Sequence, residues 1–272
     1  MRDACLQGTA RSKALGSPVP RVALILSMAV ALSLLGACTS LPERHDSSAT
    51  DAPVIAPFSL QQPGGALPGA WRPWAFSSLQ RRTEYDLVDY AGRTVIAAQS
   101  DTAASGLIHP VRFDPKQYPY LTWRWKTTAL IANANNQRGA TEDSPVRIMV
   151  AFDGDVAKLK PMDQLVFRKF RMIAKAELPF ATLMYIWENQ ASAGTVIENT
   201  HTSRIKMIVA ESGAEKVGQW HEQTVNLVED FRRAFGAEPP RVIWIGVMTD
   251  TDNTGEKTRA YYGDIRVGAT RP

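Results

Sequence analysis

Residues 120–127 read YLTWRWKT. Leu121, Trp123 and Trp125 alternate with Thr122, Arg124 and Lys126, so a strand here has one face of large apolar side chains and one polar face carrying two cations. The same period of two recurs outward in both directions. In PVRIMVAFD, at 145–153, it sets Val146, Ile148, Val150 and Phe152 on one side. Upstream, TEYDLVDY (83–90) and RTVIAAQS (93–100) flank Ala91 and Gly92, the spacing of a tight hairpin. Downstream strands are expected in ATLMYIWE from Ala181, SRIKMIVA from Ser203, WHEQTVN from Trp220, VIWIGVMT from Val242 and RAYYGDIRV from Arg259. Strands at this density predict a mainly β domain, a sandwich or barrel.

Two helices are expected to decorate it. Residues 163–176 bring Val166, Phe170 and Ile173 near one stripe, with basic residues between them. Asn226 is placed to cap a second helix with Glu229 as its reciprocal partner; Phe231 and Phe235 share a face, and Gly236, Pro239 and Pro240 end it.

The N-terminal end predicts an address. Arg2, Arg11, Lys13 and Arg21 precede an apolar run from Val22 to Ala37, which is shorter than the roughly 20 residues a membrane-crossing helix needs. Leu35, Gly36, Ala37 and Cys38 resemble the lipobox of bacterial lipoproteins. That resemblance implies cleavage after Ala37, so that 1–37 is a signal peptide, and lipidation of Cys38. Each buried methylene contributes about 0.8 kcal/mol, so a multiply acylated cysteine anchors durably. Cys5, the other cysteine, leaves with the leader, so the exported chain keeps one thiol and no internal disulfide. Thr39 stands where an aspartate would resemble the inner-membrane retention signal, which favours the outer membrane with the domain facing the periplasm.

The leader takes four of the 31 basic residues and one of the 27 acidic ones, leaving 27 against 26. A near-neutral chain without a basic run interleaved with aromatics argues against a nucleic-acid partner. Residues 38–70 are rich in Ser, Pro, Ala, Gly and Gln and read as a flexible tether, with a single domain following over 71–272.

The succession TEYDLV, AASGL, YPYLTWRWK, VRIMVAFD, LMYIWEN, WHEQTVNLVEDFRRAFG, TDTDNTG and YYGDI resembles a bacterial family known as domain of unknown function 3047, over nearly all of the chain from Trp71 to Val267. The resemblance implies one extracytoplasmic domain. By analogy with sugar-binding modules it implies a jelly-roll-like antiparallel β-sandwich, galactose-binding or concanavalin-like, and the family has no established activity to transfer.

Three constellations could carry chemistry. Asp250, Asp252 and Asn253, with Asp264 to complete them, offer the hard oxygen donors that Ca2+ takes; a polar turn closed by Gly255 is the competing reading. Trp123, Trp125, Trp187, Trp220 and Trp244 supply indoles that either stack on sugars or fill the core. Trp123, Trp125 and Trp244 fall on the apolar phase and are expected inside, whereas Trp187, ending a strand beside Glu188 and Asn189, is expected to line a cleft where Trp187 and Glu188 bind ligand. Arg124 and Lys126 would hold an anionic polymer if their face is concave. Carboxylates for a two-acid glycan-cleaving mechanism are Asp143, Asp153, Glu188, Glu198, Asp250 and Asp252, with no spacing that pairs any two. His109, His201 and His221 are isolated, and the basic run Arg168, Lys169, Arg171 and Lys175 faces either solvent or anionic head groups. The function expected is a non-catalytic, lipid-anchored envelope domain binding a glycan or related polymer. A glycan hydrolase or lyase and a structural protein with a protein partner are the alternatives.

Overall fold

The structure is a computed structural model that describes residues 52–76, 80–174 and 178–272. The leader, Cys38 and the tether up to residue 51 lie outside the described residues, as do Lys175 and the side chain of Ile173.

Among the described residues twelve strands form two sheets. They are β1 (Arg72–Trp74), β2 (Glu84–Tyr90), β3 (Arg93–Asp101), β4 (Ala104–Phe113), β5 (Tyr120–Thr127), β6 (Ser144–Phe152), β7 (Ala181–Glu188), β8 (Val196–Glu198), β9 (Ile205–Ser212), β10 (His221–Asn226), β11 (Val242–Asp250) and β12 (Lys257–Gly268). The seven-stranded sheet runs β1-β4-β11-β6-β7-β9-β8 and the five-stranded sheet β10-β5-β12-β3-β2. Strands β3 to β6 alternate between the sheets, and β11 and β12 then insert between β4 and β6 and between β5 and β3. The domain is therefore a β-sandwich whose strands wrap back and forth across the core. All pairings are antiparallel except β7 with β9, which run parallel because β8 intervenes in the connection between them.

The hairpin at Ala91 and Gly92 forms as the sequence predicts, with both residues at positive φ (54° and 79°), the conformation that matches the twist of a two-residue hairpin. Between the sheets lie Trp123, Trp125, Tyr185, Trp187, Phe152 and the apolar phases of β6, β7 and β11. Trp123 packs on Trp125 at 5.3 Å and on Tyr185 at 5.1 Å, edge to face or tilted as aromatic quadrupoles prefer.

The tether boundary at residue 70 is corrected. Ile55 and Phe58 are buried in the sandwich core, the Trp71 indole N–H donates to the Ala56 carbonyl at 2.9 Å, and the Ser59 hydroxyl and backbone N–H donate to the Asp264 carboxylate at 2.6 and 2.9 Å. Low-complexity composition concealed two apolar anchors spaced three residues apart.

The helices are α1 (Pro161–Ala174) and α2 (Leu227–Phe235). Asn226 caps α2 by accepting from the N–H groups of Val228 and Glu229, and Gly236 ends it at φ 67°. Helix α1 turns Asp163 and Phe167 inward, with Val166 and Phe170 half-buried beside them. No helix among the described residues is long and apolar enough to cross a membrane.

Candidate functional site

The site lies on the outer face of the seven-stranded sheet and follows from strand phase. In β6, Val146, Ile148, Val150 and Phe152 point to the inter-sheet core, so Arg147 and Met149 point outward. In β11 the register slips between Val242 and Trp244. That bulge sends Ile245 and Val247 into the core and Trp244, Met248 and Asp250 to the outer face. The expectation that Trp244 is interior is thereby corrected: one extra residue inverts the phase it was read from.

A cavity of about 340 Å³ opens there, with Arg147, Met184, Met248 and Asp250 on the sheet side, Val166 and Phe170 from α1, and Glu142, Asn199, His201 and Asp252 from loops. Phe76 joins it to a strip of partly buried rings: Phe76 lies 6.1 Å from Phe170 and 4.3 Å from Trp74, which lies 6.0 Å from Trp244.

Its polar side is built around the fully buried Arg147. The guanidinium donates to both oxygens of Asp250, Nε to Oδ1 at 2.7 Å and Nη2 to Oδ2 at 2.9 Å, and also to the Glu142 carbonyl at 3.0 Å and the Asn136 side-chain carbonyl at 3.3 Å. Burial disfavours the charge on Arg147, but Asp250, Glu142 and Asp143 outweigh it and hold the group above its ordinary pKa. Burial lifts the Asp250 carboxyl to about 7 against the pull of Arg147, helped by Asp143 and Asp252. Glu142 and Asp252 are also raised, mainly by burial.

Asp143, Asp250 and Asp252 each place an oxygen within 4.8 Å of the others. This is not the calcium set expected from sequence. Asp264 is elsewhere, clasped by Ser59 and by Arg93 at 2.8 Å. Asn253 turns its amide N–H toward Asp143 as a donor at 3.3 Å. Asp143 replaces Asp264 in the cluster, yet its oxygens already accept from Thr254 N–H and O–H at 2.7 Å each and from Asn253, closing the turn over 250–256. The turn reading therefore describes this loop, and Arg147 supplies the countercharge that a cation would otherwise bring.

The four residues expected to bind ligand do not converge. Trp187 is fully buried, not at a cleft: it packs 6.5 Å from Trp125 and 5.5 Å from His221, and its N–H donates to Gly213 at 3.0 Å. Glu188 is buried too, its carboxylate accepting from the N–H groups of Asn136, Gln190 and Ala191 to hold the turn after β7. Arg124 and Lys126 are on the outer face of the other sheet. There the Arg124 guanidinium stacks on Trp220 at 4.6 Å and Lys126 donates to the Tyr90 hydroxyl at 2.6 Å. Arg124 lies flat across Gly263, where a Cβ would come within 2.4 Å of its Cγ. Of the acidic candidates, Asp143, Asp250 and Asp252 come together; Asp153, Glu188 and Glu198 do not join them. Sequence reasoning missed Arg147, Glu142, Asn199, Trp74 and Phe76.

Among solved structures the chain is similar to the cellulose induced protein Cip1, with 12% identity and a TM-score of 0.33, over 74% of this chain and 92% of that one. No curated protein matches it. Residues 69–266 match the family described as protein of unknown function (DUF3047), and the chain belongs to that family.

Proposed function

We propose that this is an envelope lipoprotein, anchored through Cys38 in the outer membrane and facing the periplasm, whose sandwich binds a glycan chain along the Trp244–Trp74–Phe76–Phe170 strip with one residue of the chain in the adjoining cavity. The observation that carries the reading is the continuity of that strip with a polar-lined cavity: ring faces take the apolar C–H faces of sugars, and a few fixed polar groups orient hydroxyls. Binding without cleavage is favoured because two of the three clustered carboxylates, Asp143 and Asp250, are held by permanent partners. The test is retention on insoluble cell-wall and plant polysaccharides and on a glycan array. Wild type is retained and Trp74→Ala with Trp244→Ala is not; equal retention of the two sinks the reading. Mass spectrometry of the membrane-extracted protein tests the anchor, which requires a diacylglyceryl thioether on Cys38.

Glycan cleavage is a second reading, favoured by Glu142 and Asp252, two cavity carboxyls whose raised pKa values suit proton donation. Release of reducing ends that is abolished by Glu142→Gln would establish it in place of simple binding.

A further inference from the structure

We infer that α1 is a membrane-surface helix that rests on anionic phospholipid head groups. Its inward side is accounted for: Asp163 accepts from Thr202 and Ser203 at 3.0 and 2.8 Å, and Phe167 is buried. Its outward side carries Met162, Leu165 and Met172, exposed by 71%, 38% and 80%, three of the five large apolar side chains exposed among the described residues. Leu165 and Met172 are seven apart and so lie on one seam, with Met162 a turn ahead of Leu165. Lys160, Arg168, Lys169 and Arg171 flank that seam, all exposed and none in an ion pair among the described residues. The helix's one acid, Asp163, points away from it.

An apolar ridge with unneutralised cations on either side is the layout of an interfacial helix: the ridge enters the head-group boundary while long basic side chains reach the phosphates. A protein partner would have to supply matching acids around a ridge of only three side chains, whereas an anionic leaflet supplies them everywhere. The inference extends the proposed anchor, since the 14 Cα-to-Cα steps from Cys38 to Ala52 span at most about 50 Å and keep the domain near a bilayer. It does not need the acyl chains on Cys38.

The test uses the full chain with Cys5→Ser and Cys38→Ser, which cannot be acylated, and a single environment-sensitive fluorophore on Leu165→Cys or, as control, on Glu215→Cys. The probes are phosphatidylcholine vesicles with and without one third phosphatidylglycerol. Expected is a blue shift at position 165, absent at 215, that is at least tenfold weaker without phosphatidylglycerol and abolished by Arg168→Glu with Lys169→Glu or by high salt. No shift at 165 on the mixed vesicles, a shift indifferent to lipid charge, or a shift surviving the charge reversal overturns the inference. Failure to find lipid on Cys38 would overturn the anchor and leave this result untouched.

Discussion

Arg147 grips Asp250 with two parallel hydrogen bonds of 2.7 and 2.9 Å, both side chains buried beneath the cavity that the domain opens to solvent. The geometry is the bidentate fork that guanidinium and carboxylate share, and it sits where Asp143 and Asp252 would otherwise leave negative charge uncompensated.

Removing one partner of such a pair strands the other. Arg147→Met is expected to destabilise the domain by about 3–5 kcal/mol, while Arg147→Met with Asp250→Leu recovers most of that loss. Urea denaturation of the two variants checks this; a double variant as unstable as the single one contradicts it.

Because Arg147 already provides the positive charge, stability should not depend on a divalent ion. The midpoint of thermal unfolding is expected to be the same in excess chelator as in millimolar calcium. A rise with calcium would mean that the Asp143, Asp250 and Asp252 cluster holds an ion.

The cavity carboxyls set a pH dependence. Glu142, Asp250 and Asp252 titrate higher in the folded protein than in an unfolded chain, Asp250 at about 7. From the ordinary carboxylate range up to about pH 7 the folded form therefore holds protons that the unfolded form has lost, and stability falls as pH rises through that window. His109, lowered by burial, acts in the opposite sense, and Asp264, held low by Ser59 and Arg93 despite burial, contributes stability that is lost in stronger acid. The decisive quantity is a difference: the loss from the ordinary carboxylate range up to about pH 8 should be smaller in Glu142→Gln with Asp252→Asn than in wild type. An equal loss in both removes those two carboxyls as its source.

Among the core indoles, Trp187 donates to Gly213, whereas the N–H groups of Trp123 and Trp125 have no partner among the described residues. An unmade hydrogen bond in the interior is a liability of about 1–3 kcal/mol. Trp125→Phe therefore recovers part of what it loses in packing, and Trp187→Phe loses both packing and a bond. Chemical denaturation should find Trp187→Phe the less stable variant.

Trp74→Ala is expected to weaken glycan retention about tenfold, near 1.4 kcal/mol, with little change in unfolding midpoint because the ring is only partly buried. Unchanged retention together with a large stability loss would make the ring structural.

The sandwich was legible because its strands obey the period of two, and β5, β6 and the Ala91-Gly92 hairpin stand where their alternation puts them. The site was less legible for two physical reasons. A bulge in β11 exchanges inside for outside within one residue, which no periodicity read from sequence alone reveals at Trp244. Hydrogen bonds also link residues far apart in the chain, Arg147 to Asp250 and Asp143 to Thr254, so linear spacing could not pair the carboxylates. One signal was available: Arg147 is the sole charge in a strand apolar on both faces, and a cation so placed demands a buried acid.

The grip of Asp264 on Ser59, with Arg93 bracing the same carboxylate, determines how the domain would bear mechanical load. Tension applied at the chain's N-terminal end reaches the described domain through 52–58 and meets that clasp and the Phe58 plug before it meets any sheet ladder. Tugging would first peel a short latch, while the strands behind it stay zipped.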